Sequence, residues 1–433
     1  MKPRPDCIDV RIDVTFVVLL MLVYAAVGLA PFAPKALGDL DFHREAKKLS
    51  AAATGRRSFS DVSFTRAPGP VLFYAVPYAF VRPDAGDRSF WAAGVAWTAA
   101  WMAIGLCLIR RVARRLASER AGWIAMILAL ASPFSVYYSL GILAEGPAYL
   151  AVCWFLYGWS EAVAPERAGR MWPRAIMILG LAGLILCRPN AVLILPIAAG
   201  AWWFSRRSRP QEAKVTLAGI AGAGVIVVAV TGLVSVLQGK AETRQSGFLS
   251  HVALQGRFQY RTETWDWRFW DSVTREGSRD FADYQRTTGQ LERPSAPGEP
   301  PAGARTRAWV VEDTLAHPWL TVKMALVRTL TMHLSFVNSK GVSAFRVGPI
   351  PGSVVYWGFH VAVNAIGLGI AIAALGFLVT RRGTLAPLWP LWAPWLALVV
   401  FHAIVYSEPR YLLPAKCCQV VMAACFLDRL ISK

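Results

Sequence analysis

Long apolar stretches separated by short polar links recur along the whole chain. Several of them approach the roughly 20 residues with which an α-helix crosses the hydrocarbon core of a bilayer. We therefore predict an all-α, polytopic membrane protein with about ten transmembrane helices. The approximate ranges of these spans are 13–34, 89–109, 121–140, 146–162, 175–187, 190–204, 214–237, 354–379, 385–406 and 411–430.

Basic residues set the predicted orientation of these spans. Arginines cluster directly after the second span, at Arg110-Arg111 and Arg114-Arg115, and such clusters remain on the cytoplasmic side of a membrane. Residues 67–82 are apolar but short and contain three prolines. We expect them to lie at the outer face rather than to cross. With this assignment both termini are cytoplasmic, and residues 35–66 and 238–350 lie outside.

The composition fits this class of protein. Apolar residues make up 55% of the 433 residues and charged residues only 17%, whereas soluble proteins carry about 25% charged residues. A net charge of +19 would suit a nucleic-acid partner, but the cations follow the positive-inside pattern instead, and we expect no nucleic acid. The predicted parts are a transmembrane module (1–237), an external segment (238–350) and C-terminal transmembrane helices (351–433).

The external segment contains one strongly patterned stretch. Residues 306–337 have apolar side chains at helical spacing, which predicts an amphipathic helix lying on the membrane. Lys323 and Arg328 are expected at headgroup level, where they would attract anionic lipids. The apolar positions are Trp309, Leu315, Trp319, Leu326 and Leu330.

Ionisable residues at the predicted outer boundary are the candidates for chemistry. On the insertion scale such residues cost about 2.5–3.5 kcal/mol each at the bilayer centre, so they usually face a cavity and pair. The candidates, together with two aromatic neighbours, are Asp39, Asp41, His43, Arg66, Glu145, Arg188, Glu408, Arg410 and Tyr411.

Asp39 and Asp41 stand in the loop after the first span. Either is suited to capping the helix that begins there, while the other remains available as a general base. The pair also has the oxygen ligands of a divalent-cation site, but two carboxylates alone do not establish a metal. His43, beside them, is expected to pack at the surface.

The other candidates also have structural alternatives. Arg66 is suited to anchoring at the membrane interface, and Arg188 to binding carbonyl groups that Pro189 leaves free. Glu145 is suited to an ion pair with an arginine. Glu408 and Arg410 are suited to an ion pair with each other across an outer turn.

Five motifs surround these residues on the predicted outer side. They are Asp39-x-Asp41-Phe-x-x-Glu-Ala, Arg66-Ala-Pro-Gly-Pro-Val-Leu-Phe-Tyr, Leu-Ala-Glu145-Gly-Pro, Leu-Cys-Arg188-Pro-Asn and Glu408-Pro-Arg-Tyr-Leu-Leu-Pro. In this order they resemble the integral-membrane GT-C glycosyltransferases, among them protein mannosyltransferases and the bacterial lipid A aminoarabinose and galacturonic acid transferases. The chain departs from the family pattern at Arg66-Ala-Pro, where relatives commonly have Lys-Pro-Pro, and at Arg188-Pro-Asn190, where they have Arg-Pro-Glu.

The resemblance implies an inverting transferase on the outer face of a bacterial inner membrane. The donor would be a polyprenyl-phosphate-linked sugar, and the acceptor a hydroxyl of an envelope glycolipid, polysaccharide or protein. Asp41, or Asp39, would be the general base in a catalytic loop over 35–82, and Arg66 would contact the donor phosphate. We expect help from further residues: Arg188 and Arg410 at the phosphate, and Glu145, His43, Glu408 and Tyr411 in the pocket.

This chemistry is consistent with the residue types. Inverting transfer needs a carboxylate that takes the proton of the attacking hydroxyl and cations that stabilise the departing phosphate. The alternative is a transporter or flippase of lipid-linked saccharides, in which the same charges would line a path. Transporters often contain paired repeats with interrupted helices, and no such repeat is evident in the sequence.

Overall fold

Helices make up almost all of the secondary structure that the computed structural model describes, and this part of the chain contains no β-strand. The described residues are 14–15, 17–18, 40–62, 64, 67–131, 141–167, 170–238, 245–262, 272–273, 276–293, 295, 299–333, 352–406 and 409–432. The α-helices are α1 (Leu40–Ala53), α2 (Pro68–Tyr78), α3 (Asp87–Leu116), α4 (Glu119–Leu130), α5 (Glu145–Ala162), α6 (Met171–Cys187), α7 (Ile194–Ser205), α8 (Pro210–Gln238), α9 (Gln245–Phe258), α10 (Arg279–Leu291), α11 (Ala302–Ala316), α12 (Pro318–His333), α13 (Gly352–Thr380), α14 (Trp389–Ile404) and α15 (Leu413–Ile431).

The apolar helices pack into one bundle around α15. This helix is buried along nearly its whole length and contacts α3, α4, α5, α13 and α14. Helices α5 and α6 approach each other closely because glycines face the neighbouring helix. A Cβ atom at Gly158 would overlap the backbone of Met177, and one at Gly180 would overlap the backbone of Phe155. Small residues permit this kind of close packing between membrane helices.

The all-α prediction is confirmed, but the number of membrane spans is not fixed by the described helices. Two of them are long and apolar enough to cross a bilayer, Asp87–Leu116 and Pro210–Val236. Four shorter apolar helices accompany them: Met171–Cys187, Pro189–Ser205, Asn364–Thr380 and Trp389–Ile404. The first predicted span falls largely outside the described residues. Helix α2, with 11 residues, is only about 16 Å long, as expected for a segment that does not cross.

Helices α9, α10 and α11 form a small module in the predicted external segment. Its core contains Leu254, Phe258 and Tyr284, and the Trp309 ring stacks on Phe258 with centroids 5.5 Å apart. The prediction of a single amphipathic helix over 306–337 is wrong in one respect, because the structure has two helices in this range, α11 and α12. The break falls at His317, since a residue before a proline disfavours the helical conformation.

Helix α12 is amphipathic, but its cation lies on the buried side. Apolar side chains are exposed along one face, at Trp319, Val322, Leu326 and Leu330. Arg328 is only 1% exposed and donates to the carbonyl oxygens of Ala403 (3.0 Å), Ile404 (2.9 Å) and Gly256. The prediction that Arg328 lies at headgroup level is therefore wrong. The residue anchors α12 to the end of α14, where free carbonyl groups attract a cation.

Candidate functional site

Asp41 lies in the first turn of α1 with an exposed side chain. The next residue, Phe42, is buried in an apolar cluster that also contains Tyr74, Tyr78, Ile142 and Ala144. Ala144 directly precedes Glu145, the first residue of α5. One apolar cluster thus joins the start of α1 to the start of α5, so that Asp41 and Glu145 adjoin the same cluster.

His43 fixes α1 against its neighbours. The side chain is buried, contrary to the predicted surface position, and its Nδ1 shares a hydrogen bond of 2.8 Å with the Tyr78 hydroxyl. Its Nε2 lies 3.8 Å from a carboxylate oxygen of Asp87, which Lys47 also contacts. Burial lowers the pKa of His43, although the charge of Asp87 opposes this effect. The neutral imidazole therefore serves as a structural link at this site.

Tyr74 fixes the segment that leads into α5. Its hydroxyl donates to the carbonyl oxygen of Leu143 (2.9 Å) and accepts from the amide of the same residue (3.1 Å). The ring is fully buried. Because Leu143 stands two residues before Glu145, these hydrogen bonds hold the start of α5 against α2.

The other end of α2 lies against the end of α6. Gly69 is required at this contact, because a Cβ atom there would lie only 2.8 Å from the backbone nitrogen of Cys187. Arg188 directly follows Cys187 and caps α6. Helix α2 therefore borders both Glu145, through Tyr74, and Arg188, through Gly69.

Arg188 and Glu145 form an ion pair between the end of α6 and the start of α5. Their side chains are 14% and 4% exposed, so the pair is largely shielded from water. The Arg188 guanidinium also lies over the ring of Tyr411, 5.0 Å from its centroid. The Nε–H group of Arg188 is buried and has no acceptor among the described residues. Part of the hydrogen-bonding capacity of this arginine is thus unused.

Tyr411 is positioned by a histidine on α14. Its ring stacks on His402 with centroids 4.7 Å apart. Nδ1 of His402 donates to the carbonyl oxygen of Tyr406 (2.8 Å), and Nε2 accepts from the side-chain amide of Asn190 (2.9 Å). These two bonds define one neutral tautomer. Asn190, at which the chain departs from the family pattern, therefore holds His402 and, through it, Tyr411.

The structure brings together three of the predicted site residues, Glu145, Arg188 and Tyr411. Asp41 and His43 lie at the α1 side of the shared apolar cluster. Other predicted residues lie outside the described part of the chain: Asp39, Arg66, Glu408 and the side chain of Arg410.

The sequence did not identify Tyr74, His402 or the structural role of Asn190. The only sign of these residues in the sequence is a polar side chain within an apolar stretch. Such a side chain does not indicate which residue it will contact. Asn190 and His402, for example, are 212 positions apart.

Comparisons with known proteins agree with the sequence motifs over part of the chain. The sequence model of the dolichyl-phosphate-mannose-protein mannosyltransferase family matches residues 85–233, about a third of the chain. No curated protein matches.

Two solved structures are similar to the chain at low identity. The archaeal oligosaccharyltransferase AglB from Archaeoglobus fulgidus, in complex with an inhibitory peptide and a dolichol-phosphate, is 13% identical with a TM-score of 0.49. The match covers 97% of this chain but only 50% of that chain. ArnT from Cupriavidus metallidurans bound to undecaprenyl phosphate is 16% identical with a TM-score of 0.44, covering 97% and 78% of the two chains. The family match confirms the resemblance to membrane glycosyltransferases for residues 85–233.

Proposed function

We propose that this protein transfers a sugar from a polyprenyl-phosphate-linked donor to the hydroxyl of an envelope acceptor, with inversion, on the outer face of a bacterial inner membrane. The observation that carries the proposal is the Arg188–Glu145 pair. It is buried, it has a donor without an acceptor among the described residues in the Arg188 Nε–H, and it lies at α5 and α6, which contact α2, the helix that packs against α1 and so links the pair to the helix of Asp41.

Arg188 would bind the phosphate of the donor. A guanidinium presents several N–H groups in one plane and matches the oxygens of a phosphate, and Glu145 together with Tyr411 fixes its orientation. The start of α5 lies at the same place, and the partial positive charge of a helix start favours an anion. Arg66 and Arg410 would add charge, since each is close in sequence to a residue that borders Arg188.

Asp41 would be the general base, with Asp39 as its partner or as the helix cap. The carboxylate would accept the proton of the acceptor hydroxyl while that hydroxyl attacks the anomeric carbon. The exposed position of Asp41 leaves it accessible to an acceptor that approaches from the aqueous side. The buried His43 would then position α1 and take no part in the proton transfer.

The experiment uses the purified full-length protein in nanodiscs with a polyprenyl-phosphate sugar labelled in the sugar. We expect free polyprenyl phosphate to appear together with a labelled acceptor, and the product to have the inverted anomeric configuration by NMR. Envelope extract, separated glycolipids, polysaccharide and protein fractions would be supplied in turn as acceptors.

A lipid-linked saccharide flippase is the alternative. It predicts that intact donor crosses the bilayer of a proteoliposome and that no polyprenyl phosphate is released. Movement without cleavage, under conditions in which every acceptor fraction is present, would overturn the transferase proposal.

A further inference from the structure

Helix α15 contains two polar residues that the proposed mechanism does not use. Lys416 and Gln419 stand in the helix that forms the centre of the bundle, and their side chains are 3% and 0% exposed. Because they are three positions apart in a helix, they lie on the same face. A charged side chain inside an apolar bundle is costly unless it is paired, and it usually marks a functional position.

Neither side chain has a hydrogen-bond partner among the described residues. The Lys416 Nζ atom and both the Oε1 and Nε2 atoms of Gln419 are buried and unsatisfied. The other fully buried cations differ in this respect: Arg110 pairs with Glu119, Arg257 with Asp313, and Arg328 binds carbonyl groups. Buried polar groups are nearly always satisfied by protein, water or a ligand.

His333, a titratable neighbour of Lys416 on another helix, does not supply the missing negative charge. His333, at the end of α12, lies within electrostatic range of Lys416. Its Nε2 accepts from the Trp395 indole (3.0 Å) and its Nδ1 donates to the Thr329 carbonyl oxygen (2.7 Å). Both ring nitrogens are thus occupied in a neutral imidazole. A buried water molecule would satisfy the amide of Gln419 but would leave the ammonium charge uncompensated.

The position of Lys416 favours an anion. The residue lies in the first turn of α15, which begins at Leu413, and a helix start carries partial positive charge. The Cα–Cβ bond of a helical residue tilts toward the helix start, so the Lys416 side chain leaves α15 on the side of that end. The amide of Gln419 offers both a donor and an acceptor. A phosphate group matches this set, because its oxygens accept from Lys416 and Gln419 and its acidic O–H donates to the Gln419 oxygen.

We infer that Lys416 and Gln419 form a phosphate-binding site inside the helical bundle. If the proposed function holds, on which the identity of the lipid rests, the ligand is the phosphate headgroup of the polyprenyl carrier. The site is then a second phosphate contact beyond Arg188, whose charge is already balanced by Glu145. Free inorganic phosphate has the same chemistry, and the experiment separates the two sources.

The test measures binding to the full-length protein in nanodiscs with no sugar or acceptor present, so it does not depend on turnover. The probes are a polyprenyl phosphate, the matching polyprenol and inorganic phosphate. The variants are Lys416→Met and Gln419→Leu, which keep the size of the side chain, and the control is Lys214→Met at an exposed position.

We expect the wild type and Lys214→Met to bind polyprenyl phosphate, detected by native mass spectrometry and by a rise in Tm, and to bind polyprenol weakly. Loss of a charged hydrogen bond should weaken phosphate binding by about ten- to hundredfold in Lys416→Met, and by a smaller factor in Gln419→Leu. The Tm of unliganded Lys416→Met should equal or exceed that of the wild type, because an unpaired buried charge is removed.

Equal binding of polyprenyl phosphate by wild type and both variants would overturn the inference, and so would a failure of the wild type to bind either phosphate. Binding of inorganic phosphate alone, lost in Lys416→Met, would support the site and assign it to the free ion. Should Lys416→Met fail to fold, Gln419→Leu decides by the same criteria. None of these results depends on sugar transfer, which the labelled-donor experiment measures separately.

Discussion

Two buried arginine–carboxylate groups in this protein differ in how many of their hydrogen-bond donors and acceptors have partners. In the module formed by α9, α10 and α11, Asp313 accepts from both Arg257 and Arg261 (2.7 and 2.9 Å), and Arg257 also donates to Thr321 (2.7 Å). Between α5 and α6, Arg188 has one carboxylate partner, Glu145, and a buried Nε–H without an acceptor.

The difference separates a structural ion pair from a candidate binding site. The Asp313 group is closed, and its carboxylate is engaged by two guanidinium groups. Burial alone would raise the pKa of Asp313, but the hydrogen bonds and charges of Arg261 and Arg257 outweigh burial and hold this pKa below its usual value. The Arg188 group has a donor available to a ligand. We therefore expect changes in the first group to affect folding and changes in the second to affect activity.

The largest effect on stability is expected for Asp313→Asn. Removing this charge leaves Arg257 buried without its counter-ion, which should destabilise the protein by about 3–5 kcal/mol. Asp283→Asn is the matched control, because its partner Arg286 is exposed and Asp283 itself is partly exposed, so the pair should contribute about 0.5 kcal/mol or less. Thermal unfolding followed by circular dichroism compares the two variants. Equal Tm values would show that the Asp313 group is not a structural centre.

Glu145→Gln should instead reduce transfer. The amide still fills the site, but Arg188 loses the charge that orients it, and displacement of a positioning group by about 1 Å can cost about 10²-fold in rate. Steady-state transfer with a labelled donor measures the loss. Glu212→Gln, which removes the carboxylate of the Arg209–Glu212 pair, is the control. A Glu145→Gln variant with normal turnover and a large fall in Tm would make this pair structural, like the Asp313 group.

Acid should affect the two regions in different pH ranges. The folded-state pKa of His43 lies below its unfolded value of about 6.5, so the α1–α2 contact is fully stable above that pH and weakens as the pH falls toward the folded pKa. Asp313 also has a lowered folded-state pKa, but its unfolded value is about 3.9, so the module loses stability only below about pH 4.

Hydrogen exchange at pH 7, 5.5 and 3.5 distinguishes these two regions. At pH 5.5, once the rates are divided by the intrinsic exchange rate at that pH, peptides from α1 and α2 should lose protection while those from α9 and α11 keep theirs. His43→Asn should remove the early change. Simultaneous loss of protection in both regions would contradict the assignment to His43.

The smallest effect is expected for Asn190→Ala. The variant removes the hydrogen bond to His402 and should cost about 1 kcal/mol of stability, with a reduction of transfer of no more than about tenfold, the equivalent of about 1.4 kcal/mol. Asn190→Asp presents only an acceptor to Nε2, while the Tyr406 carbonyl oxygen still accepts from Nδ1, so both nitrogens of His402 should carry protons and the ring should become cationic. The imidazole nitrogen shifts in NMR report this change directly, and unchanged shifts would contradict the bond.

Much of the helical framework could be predicted from the sequence, because the length of an apolar stretch and the residues that end a helix are local properties of the chain. The predicted boundary at Arg188-Pro189 is observed, with α6 ending at Cys187 and a short 3-10 helix leading into α7. Whether a side chain on a helix faces the protein or its surroundings was less predictable. Arg328 belongs to an amphipathic helix as expected, yet it faces the protein because its acceptors come from residues about 70 positions away.

Contacts between residues far apart in the chain could not be predicted from the sequence pattern, because they also depend on how distant segments pack together. The Glu145–Arg188 contact followed as one option among several, since any of the outer arginines had the right chemistry. The stacking of Tyr411 on His402 depends on how α14 and the 3-10 helix Pro409–Leu412 meet. No periodicity in either segment specifies that geometry.

The most direct test of the account is sugar transfer by Asp41→Asn. Loss of the general base should lower the transfer rate by about 10²–10⁴-fold, while membrane insertion, Tm and binding of polyprenyl phosphate remain those of the wild type. Asp61→Asn, at an exposed position in the 3-10 helix Phe59–Asp61, should transfer normally. If Asp41→Asn transfers sugar at a near-normal rate, Asp41 is not the base and the proposed site is wrong.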